Sequence, residues 1–484
     1  MNLQSIPWLD LAILIGLFGS PIVSLMRDPR RADRWGLAFT GTAFVCAFLA
    51  WLNFYVGTPP EIRKLWSIQP MLFGRVLFHL DELSAPLVPT VALLHFLTAL
   101  ATARTHIRRF SFSWSLASSS LRLATFSCQE PWVLVLLLTL AVIPPYVELV
   151  NRKRNPRVYL VHMAAFVVLL VVGQAAVSWT TAQPHGFAPW WAVVPLLAAI
   201  LIRTAAIPAH CWLTDWFEHS SPGIALLNVV PLSGVYATVR LLMPIAPDWA
   251  LRGIGLISLT TAIYAAGMAT IQRDSRRFFA YLLLSHGSLV LVGLELRTDL
   301  SLTGSLALWF SVLLSLGGFG LMLRALEARF GRLSLTEYHG LYNHSPALAV
   351  CFLVTGLASV GFPGTLGFIS TDLLVDSAVE ANPYVGIGVV AAAALNGIAV
   401  LRAYFLLFTG ARHVSTVRLG LGLRERIAVL TLTARIFGGG LFPQPGIDTR
   451  FRAAEEILAT RARRRNAPAP TKSAPATDRS VPPR

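Results

Sequence analysis

Charge is what this sequence has least of. Only 13% of its 484 residues are Asp, Glu, Lys or Arg, and a soluble chain of this length carries roughly twice that fraction. With 55% hydrophobic residues and a mean hydropathy of +0.62, a water-soluble fold is excluded before any motif is read. Cysteine is scarce too. Cys46, Cys128, Cys211 and Cys351 stand singly in apolar stretches, and without a Cys-x-x-Cys pair neither iron–sulfur ligation nor thiol redox chemistry has support. No His-x-x-x-His pair occurs, which leaves His339 and His344, in a polar loop, as the remaining metal candidate. The glycine groups Gly317-Gly318-Phe319-Gly320 and Gly438-Gly439-Gly440 lie in or beside apolar runs rather than after a strand, so they cradle no nucleotide. The expectation is no cofactor, no metal and no self-contained active site; any redox or hydration chemistry belongs to a partner protein.

What is present is apolar length. Runs of about 17–25 residues, each able to cross a ~30 Å hydrocarbon layer as a helix, recur from end to end. They predict an all-α membrane protein of fourteen spans, near 8–26, 35–57, 82–103, 110–128, 131–150, 158–178, 188–211, 223–243, 251–271, 278–296, 302–323, 346–374, 384–409 and 427–442. The first run has no basic residues before it and no small-residue cleavage site after it, so it reads as a retained helix. The net charge of +16 suggests nucleic acid until its distribution is read. Odd-numbered loops hold Arg27, Arg30, Arg31 and Arg34; Arg104, Arg108 and Arg109; Arg152, Lys153, Arg154 and Arg157; Arg273, Arg276 and Arg277; Arg324, Arg329 and Arg332; and Arg412, Arg418, Arg424 and Arg426. Even-numbered loops hold Arg63, Lys64, Arg75, Arg252 and Arg297. Basic residues mark cytoplasmic loops. A split of twenty-one to five therefore puts odd loops in the cytoplasm of a bacterial inner membrane, the N-terminus outside, and nucleic acid out of consideration. One feature resists: fourteen spans put the basic 451–484 tail outside as well, and the last span carries Arg435. The tail is Pro/Ala-rich and is expected to be disordered, most clearly from Asn466 on.

Two spans are interrupted by proline in comparable places, at Pro208 in the seventh and at Pro363-Gly364 in the twelfth. Proline removes a backbone donor and clashes with the preceding turn, so each helix breaks there. Inside a bilayer such breaks are tolerated only against protein or a water-filled cavity. Grouping the spans makes two five-helix units, 110–243 and 251–409, each with its broken helix fourth. Residues 1–109 precede them and a last segment, 410–450, follows. Five is odd, so consecutive units enter the membrane in opposite orientation: an inverted repeat, as in secondary transporters.

At the breaks the chain acquires a resemblance. Pro208-Ala209-His210-Cys211-Trp212-Leu213-Thr214-Asp215 resembles the proline–x–His–x–Trp–Leu–x–Asp stretch of the proton-conducting antiporter-like family. That family comprises the large membrane subunits of complex I, the cation/proton antiporter subunits and the membrane subunits of two-component inorganic-carbon transporters. The run from Gln272 to Tyr281 with Ser285-His286-Gly287 is similar to its tenth-helix signature. Leu357 to Thr365 resembles its twelfth-helix break, and Gly440 to Pro445 its terminal motif. The likeness covers roughly residues 70–450 and implies the fourteen-helix inverted repeat, proton movement along a central polar axis, and membership of a larger complex.

The departures lie on that axis. The resemblance implies a fifth-helix Glu, where Thr139 stands, and a seventh-helix Lys, where Arg203 stands. Glu148 is nine residues past Thr139, about 13 Å along a helix, and cannot substitute for the missing carboxylate. Arginine holds its proton at any relevant pH, so Arg203 can bias a pathway but relays protons poorly. The eighth helix has no Lys, the eleventh no ionisable residue, and the twelfth places Asp372 beside the usual carboxylate position at Thr371.

Buried charge in a membrane is expensive, so ionisable residues at depth are read as functional by default. The pathway candidates are Arg203, set against a structural pair with Asp372; His210, set against a ring that only binds freed carbonyls; His286, set against a satisfied core histidine; and Asp372. Arg122 and Arg402 either join the path, snorkel or pair structurally, and Thr139 and Glu148 complete the list. Asp81 and Glu82 read as a cap. The expected function is an antiporter-like membrane subunit, in an NADH-quinone oxidoreductase-like or antiporter complex, conducting protons or another cation. Its expected partners are further membrane or peripheral subunits, a soluble catalytic partner and the lipid bilayer. The alternatives are the membrane half of an inorganic-carbon uptake system and a non-conducting scaffold of the same fold.

The charge split generates a labelling prediction. A cysteine placed in the 152–157 loop should react only from the cytoplasm, and one at 62–66 only from outside. Reaction of both from one side would sink the span assignment.

Overall fold

The computed structural model describes residues 6–56, 69–70, 74–102, 107, 110–180, 186–411 and 422–465. Arg63, Lys64, Arg104, Arg108, Arg109, Arg412 and Arg418, the 62–66 labelling site and the tail from residue 466 lie outside the described residues. What is described is helical, with no strand and only two isolated bridges, Phe78–Cys128 and Asp274–Ser334. In chain order the helices are α1 (Trp8–Ser24), α2 (Pro29–Tyr55), α3 (Ser84–Leu100), α4 (Phe112–Ser127), α5 (Pro131–Leu140), α6 (Ile143–Asn151) and α7 (Arg157–Thr180). They continue with α8 (Trp190–Arg203), α9 (Cys211–His219), α10 (Pro222–Val229), α11 (Ser233–Ala237, extended by a π turn, Thr238–Leu242), α12 (Asp248–Ile271) and α13 (Ser275–Leu296). The last six are α14 (Asp299–Phe330), α15 (Pro346–Ser359), α16 (Leu366–Ala381), α17 (Pro383–Phe408), α18 (Leu423–Leu441) and α19 (Gln444–Arg465).

Among the described residues eight helical stretches are individually long and apolar enough to span: α2, Pro131–Asn151, α7, Pro222–Leu242, α12, α13, α14 and α17. Shorter apolar helices, α1, α3, α8 and α15, stand between them. Their ends carry the expected caps. Asp28 accepts from the Arg30 N–H before α2, and Asp274 accepts from Arg276 and Arg277 before α13. Thr298 and Ser301 cap α14 reciprocally. Such side chains take up amide donors that no helical carbonyl can reach.

Burial sorts centre from rim. The crossing window of α14 is 94% buried and that of α13 89%, against 28% in α2 and 33% in α7. A helix apolar all round and buried all round is a core helix, so α13 and α14 are the axis on which the others pack. At the rim, exposed Tyr55, Trp132, Trp179, Trp190, Trp249 and Tyr384 lie at ends facing even-numbered loops and exposed Trp35, Tyr338 and Tyr342 at odd-loop ends, consistent with aromatic belts at both interfaces.

The ion pairs test the alternation of the spans. Arg276–Glu327, Arg329–Glu425, Arg332–Asp274 and Arg424–Asp33 join odd-numbered loop ends to one another, and Arg152–Glu148 lies within one of them. Arg240–Asp81, Arg297–Asp248 and Arg75–Glu130 join the even-loop ends. Among the described residues no ion pair crosses from one set to the other. The Asp81 carboxyl is itself buried, which works against its charge; Arg240 and the hydrogen bonds from Ser84 outweigh that and hold it below the ordinary carboxylate value.

Two readings change. Residues 451–465, placed in the disordered tail, form most of helix α19, bent 78° from α18. Arg461 is buried and donates to the carbonyls of Met243 and Ala246 and to Asp248, and Arg452 reaches Glu82. The basic residues that looked awkward on the even-loop end are anchors for its carbonyls and carboxylates. The fifth and eighth spans, read as clean, are also interrupted. Pro144-Pro145 divides α5 from α6, and Pro231 divides α10 from α11, with Leu232 in the left-handed region at φ 51°.

Helix α18 closes over the twelfth-span break through a glycine. A Cβ on Gly440 would lie 2.3 Å from the Gly364 carbonyl oxygen, whereas one on Gly438 would meet nothing within 4 Å. Gly440→Val should therefore destabilise the detergent-solubilised protein by about 1–3 kcal/mol, and Gly438→Ala should leave it unchanged or slightly more stable. Thermal unfolding of the two variants measures this; equal effects would contradict the packing.

Candidate functional site

Each broken crossing has freed backbone groups to satisfy, and side chains supply partners beside the local backbone bonds. In the seventh span α8 ends at Arg203, the chain turns through Ala205 at φ 59°, and α9 resumes at Cys211. The Ile202 carbonyl accepts from Trp212 Nε1 at 2.9 Å, and the Ile207 N–H donates to Thr261 Oγ1 at 3.1 Å. In the fifth span the Val142 carbonyl accepts from the Tyr159 hydroxyl and the Pro145 carbonyl from Trp216 Nε1. In the eighth the Pro231 carbonyl accepts from Trp309 Nε1. Indole and phenol donors suit this task, because one end packs in the core while the other carries a proton.

The twelfth-span break lies between α15 and α16, with Gly361 and Gly364 at φ 88° and 83°. Here the donor is a histidine. His286 is 1% exposed; its Nδ1 lies 2.8 Å from the Leu282 carbonyl and its Nε2 2.9 Å from the Ser359 carbonyl, at the last residue of α15. A neutral imidazole donates from only one nitrogen, so only the protonated ring satisfies both contacts. Beside it Asn396 Nδ2 donates to Ser285 Oγ, which donates to the Ala262 carbonyl.

Helix α13 joins this break to the first half. Its Leu283, Leu284 and Gly287 line a cavity of about 30 Å³ with Arg203, Asn228 and Ser233, between the seventh- and eighth-span breaks. Arg203 Nη2 donates to Ser233 Oγ at 3.0 Å, and its guanidinium carbon lies 5.9 Å from the centres of both Phe166 and Trp212. Arg122 does not snorkel. It is 3% exposed and donates from Nη2 to Asn228 Oδ1 at 2.8 Å. Arg203, Arg122 (through Asn228) and His286 (through α13) are thus brought into one connected region.

The other candidates are not. Asp372 is exposed on α16 and pairs with neither Arg203 nor His286, while Leu374 on the same helix is fully buried. Helix α16 turns its small and apolar face inward, which leaves the carboxylate outside. Pro208, Pro363 and Gly364 are exposed at the breaks. His210 is half-buried, edge-on to Tyr264 with ring centroids 5.3 Å apart. Thr139 returns its hydroxyl to the Val135 carbonyl of its own helix. Glu148 accepts from Arg152 and from the Ser221 N–H, a contact at the odd-loop end. Arg402 donates to the carbonyls of Gln272 and Leu335 and so ties a loop to α17.

Sequence reading missed His95, Asn228 and Asn396. His95 is fully buried in α3, and neither ring nitrogen has a partner among the described residues. Its signal was available, since it is the single ionisable residue in Ser84–Leu100. The amides carried none, because an uncharged polar residue within an apolar run does not declare which face it occupies.

The Arg122–Asn228 bond yields a prediction. Asn228→Leu should cost about 1.5–3 kcal/mol by stranding a buried guanidinium. The double change Arg122→Met with Asn228→Leu should recover most of it. Thermal unfolding gives both values, and a double variant no better than the single one refutes the pairing.

With this geometry in hand, similarity to known proteins can be weighed. The family described as NADH:quinone oxidoreductase/Mrp antiporter, TM matches residues 159–396. NADH-quinone oxidoreductase subunit 13 of Thermus thermophilus is 30% identical over 331 residues, 63% of this chain and 70% of that protein. NADH-quinone oxidoreductase subunit M of Mycobacterium tuberculosis is 29% identical over 288 residues, 58% of this chain and 52% of that protein. Among solved structures, a chain of respiratory complex I from Thermus thermophilus superposes with a TM-score of 0.82 at 24% identity, covering 94% of this chain and 99% of that one. A chain of the Mrp complex from Dietzia sp. gives 0.82 at 18% identity, covering 96% and 99%. The superpositions speak for the fold, and the Thermus sequence match speaks for common descent: the chain is a multi-pass, antiporter-type membrane subunit belonging to the NADH:quinone oxidoreductase/Mrp antiporter family.

Proposed function

We propose that this subunit conducts protons across a bacterial inner membrane as part of a larger complex. It crosses fourteen times, with the N-terminus outside and the spans of 110–243 and 251–409 forming an inverted repeat. The separation of ion pairs into two sets supports the crossings, and the paired breaks at Pro208 and Pro363 support the repeat. The relatives are subunits of named oxidoreductases and of an Mrp complex, which supports further membrane or peripheral subunits here, including a soluble catalytic one.

The observation that carries conduction is the placement of His286. Its ring sits between two carbonyls, one of them at the joint of a broken helix, and only its protonated form satisfies both. Release of the Nε2 proton leaves a lone pair against the Ser359 carbonyl, and by that route proton release is coupled to the position of the Ser359 segment. Arg203 stays charged throughout and sets the potential of the first half without relaying a proton itself.

A scaffold reading competes, favoured by Thr139 and Arg203 in place of titratable groups. Flux separates the two. The purified complex in vesicles loaded with a pH-sensitive dye should carry protons above the empty-vesicle leak. Arg203→Lys should retain that flux, and His286→Ala should lower it about tenfold or more, as loss of a proton-transfer group does. A parent with no flux above the leak ends the conducting reading and leaves the scaffold.

A further inference from the structure

Arg122 and Arg203 lie inside the first half with no acid to face. They are 3% and 8% exposed, and among the described residues neither makes an ion pair. Several arginines toward the two ends behave differently: half-buried Arg240, Arg276 and Arg329 and buried Arg461 each meet a carboxylate. The interior pair has only neutral acceptors, the Asn228 amide oxygen and the Ser233 hydroxyl. Neutral acceptors take up N–H groups but do not cancel charge, and the Nε of both arginines is left without any acceptor. Arginine cannot escape by losing its proton. An uncompensated buried charge is among the most destabilising features a fold can hold, and here two share one region, the charge of Arg203 being felt at Arg122.

The missing counter-charge has a place to sit. The cavity of about 30 Å³ is walled by Arg203, Ser233, Asn228, Thr204, Trp212 and Gly287, large enough for one small ion or water. Ser233 accepts from Arg203, so its own hydroxyl proton is free to donate. Asn228 lines the same space and holds Arg122 behind it. Water there would supply an acceptor and no charge.

We propose that this cavity is a binding site for a small monovalent inorganic anion of chloride size, held by the Arg203 guanidinium and the Ser233 hydroxyl with Arg122 as a second positive charge. The cavity has room for a halide, and the few donors that face it suit one small monovalent anion better than the four oxygens of a sulfate or phosphate. Occupancy offsets the interior cations in the position where a carboxylate partner is absent. The inference stands whether or not the subunit conducts protons.

The test is thermal unfolding of the full chain, with its co-purifying subunits, in lipid nanodiscs at constant ionic strength. Chloride replaces gluconate stepwise, and a parallel series uses sulfate. The melting temperature of the parent should rise saturably with chloride, as for any ligand that binds only the folded state, and not with sulfate. Arg203→Gln should lose the chloride response while being no less stable than the parent in gluconate. Ser233→Ala, which removes one hydrogen bond, should weaken the apparent chloride affinity by about tenfold, and decides the matter if Arg203→Gln does not assemble. A parent indifferent to chloride, an equal response to sulfate, or a chloride response unchanged in Ser233→Ala each overturns the site.

Discussion

A carbonyl released by a broken helix inside a bilayer has no water to bond, and the rest of this structure follows from supplying it with a donor. Among the described residues four crossings are interrupted, at Val142, Arg203, Val230 and Ser359. The partners are tyrosine and tryptophan for the first three and a histidine for the fourth. Those donors come from other helices or from beyond the break, so each interruption also fixes a helix–helix contact. Trp309 of α14 can reach Pro231 only if α14 lies in the centre, which is where burial places it. Unsatisfied groups in hydrocarbon cost several kcal/mol each, more than any single packing contact here returns.

Using a histidine at one break has a consequence that the aromatic donors lack. Tryptophan and tyrosine hold one protonation state across the physiological range, so their contacts are permanent. The contact of His286 with Ser359 is kept by the protonated ring and by the neutral Nε2–H tautomer, but not by the Nδ1–H tautomer. The same structural need is met here by a titratable group, and the helix that carries it, α13, also lines the wall of the Arg203 cavity. The two breaks are joined by one rigid helix rather than by direct contact.

Charge is distributed by the same logic. Toward the loops, many arginines, such as Arg240, Arg276 and Arg329, meet carboxylates and staple one helix end to its neighbours. In the middle, Arg122 and Arg203 meet only neutral oxygens. Lysine at such a depth sheds its proton and becomes neutral, whereas arginine keeps a permanent positive charge in the core. The interior of the first half is therefore electrostatically unlike a proton wire of titrating lysines, and its chemistry turns on what balances that charge.

Periodic apolar length and paired prolines were local signals, and they were enough to determine a multi-pass helical protein and its breaks at Pro208 and Pro363. Hydropathy responds to composition along the chain, and a proline acts on its own turn. Direction around a helix is different. Asp372 and Leu374 are two residues apart, and which of them faced the core depended on the packing of α16 against its neighbours. Arg122 and Asn228 are 106 residues apart, and nothing in either segment foretells their bond. The breaks at Pro144-Pro145 and Pro231 were visible as residues but were tolerated only because Tyr159, Trp216 and Trp309 arrive from elsewhere. The order of 451–465 likewise depended on carbonyls at Met243 and Ala246 that the basic segment could anchor. Local chemistry determined where helices start, stop and break; long-range packing decided which polar groups meet, because partners distant in sequence become neighbours only when the helices assemble.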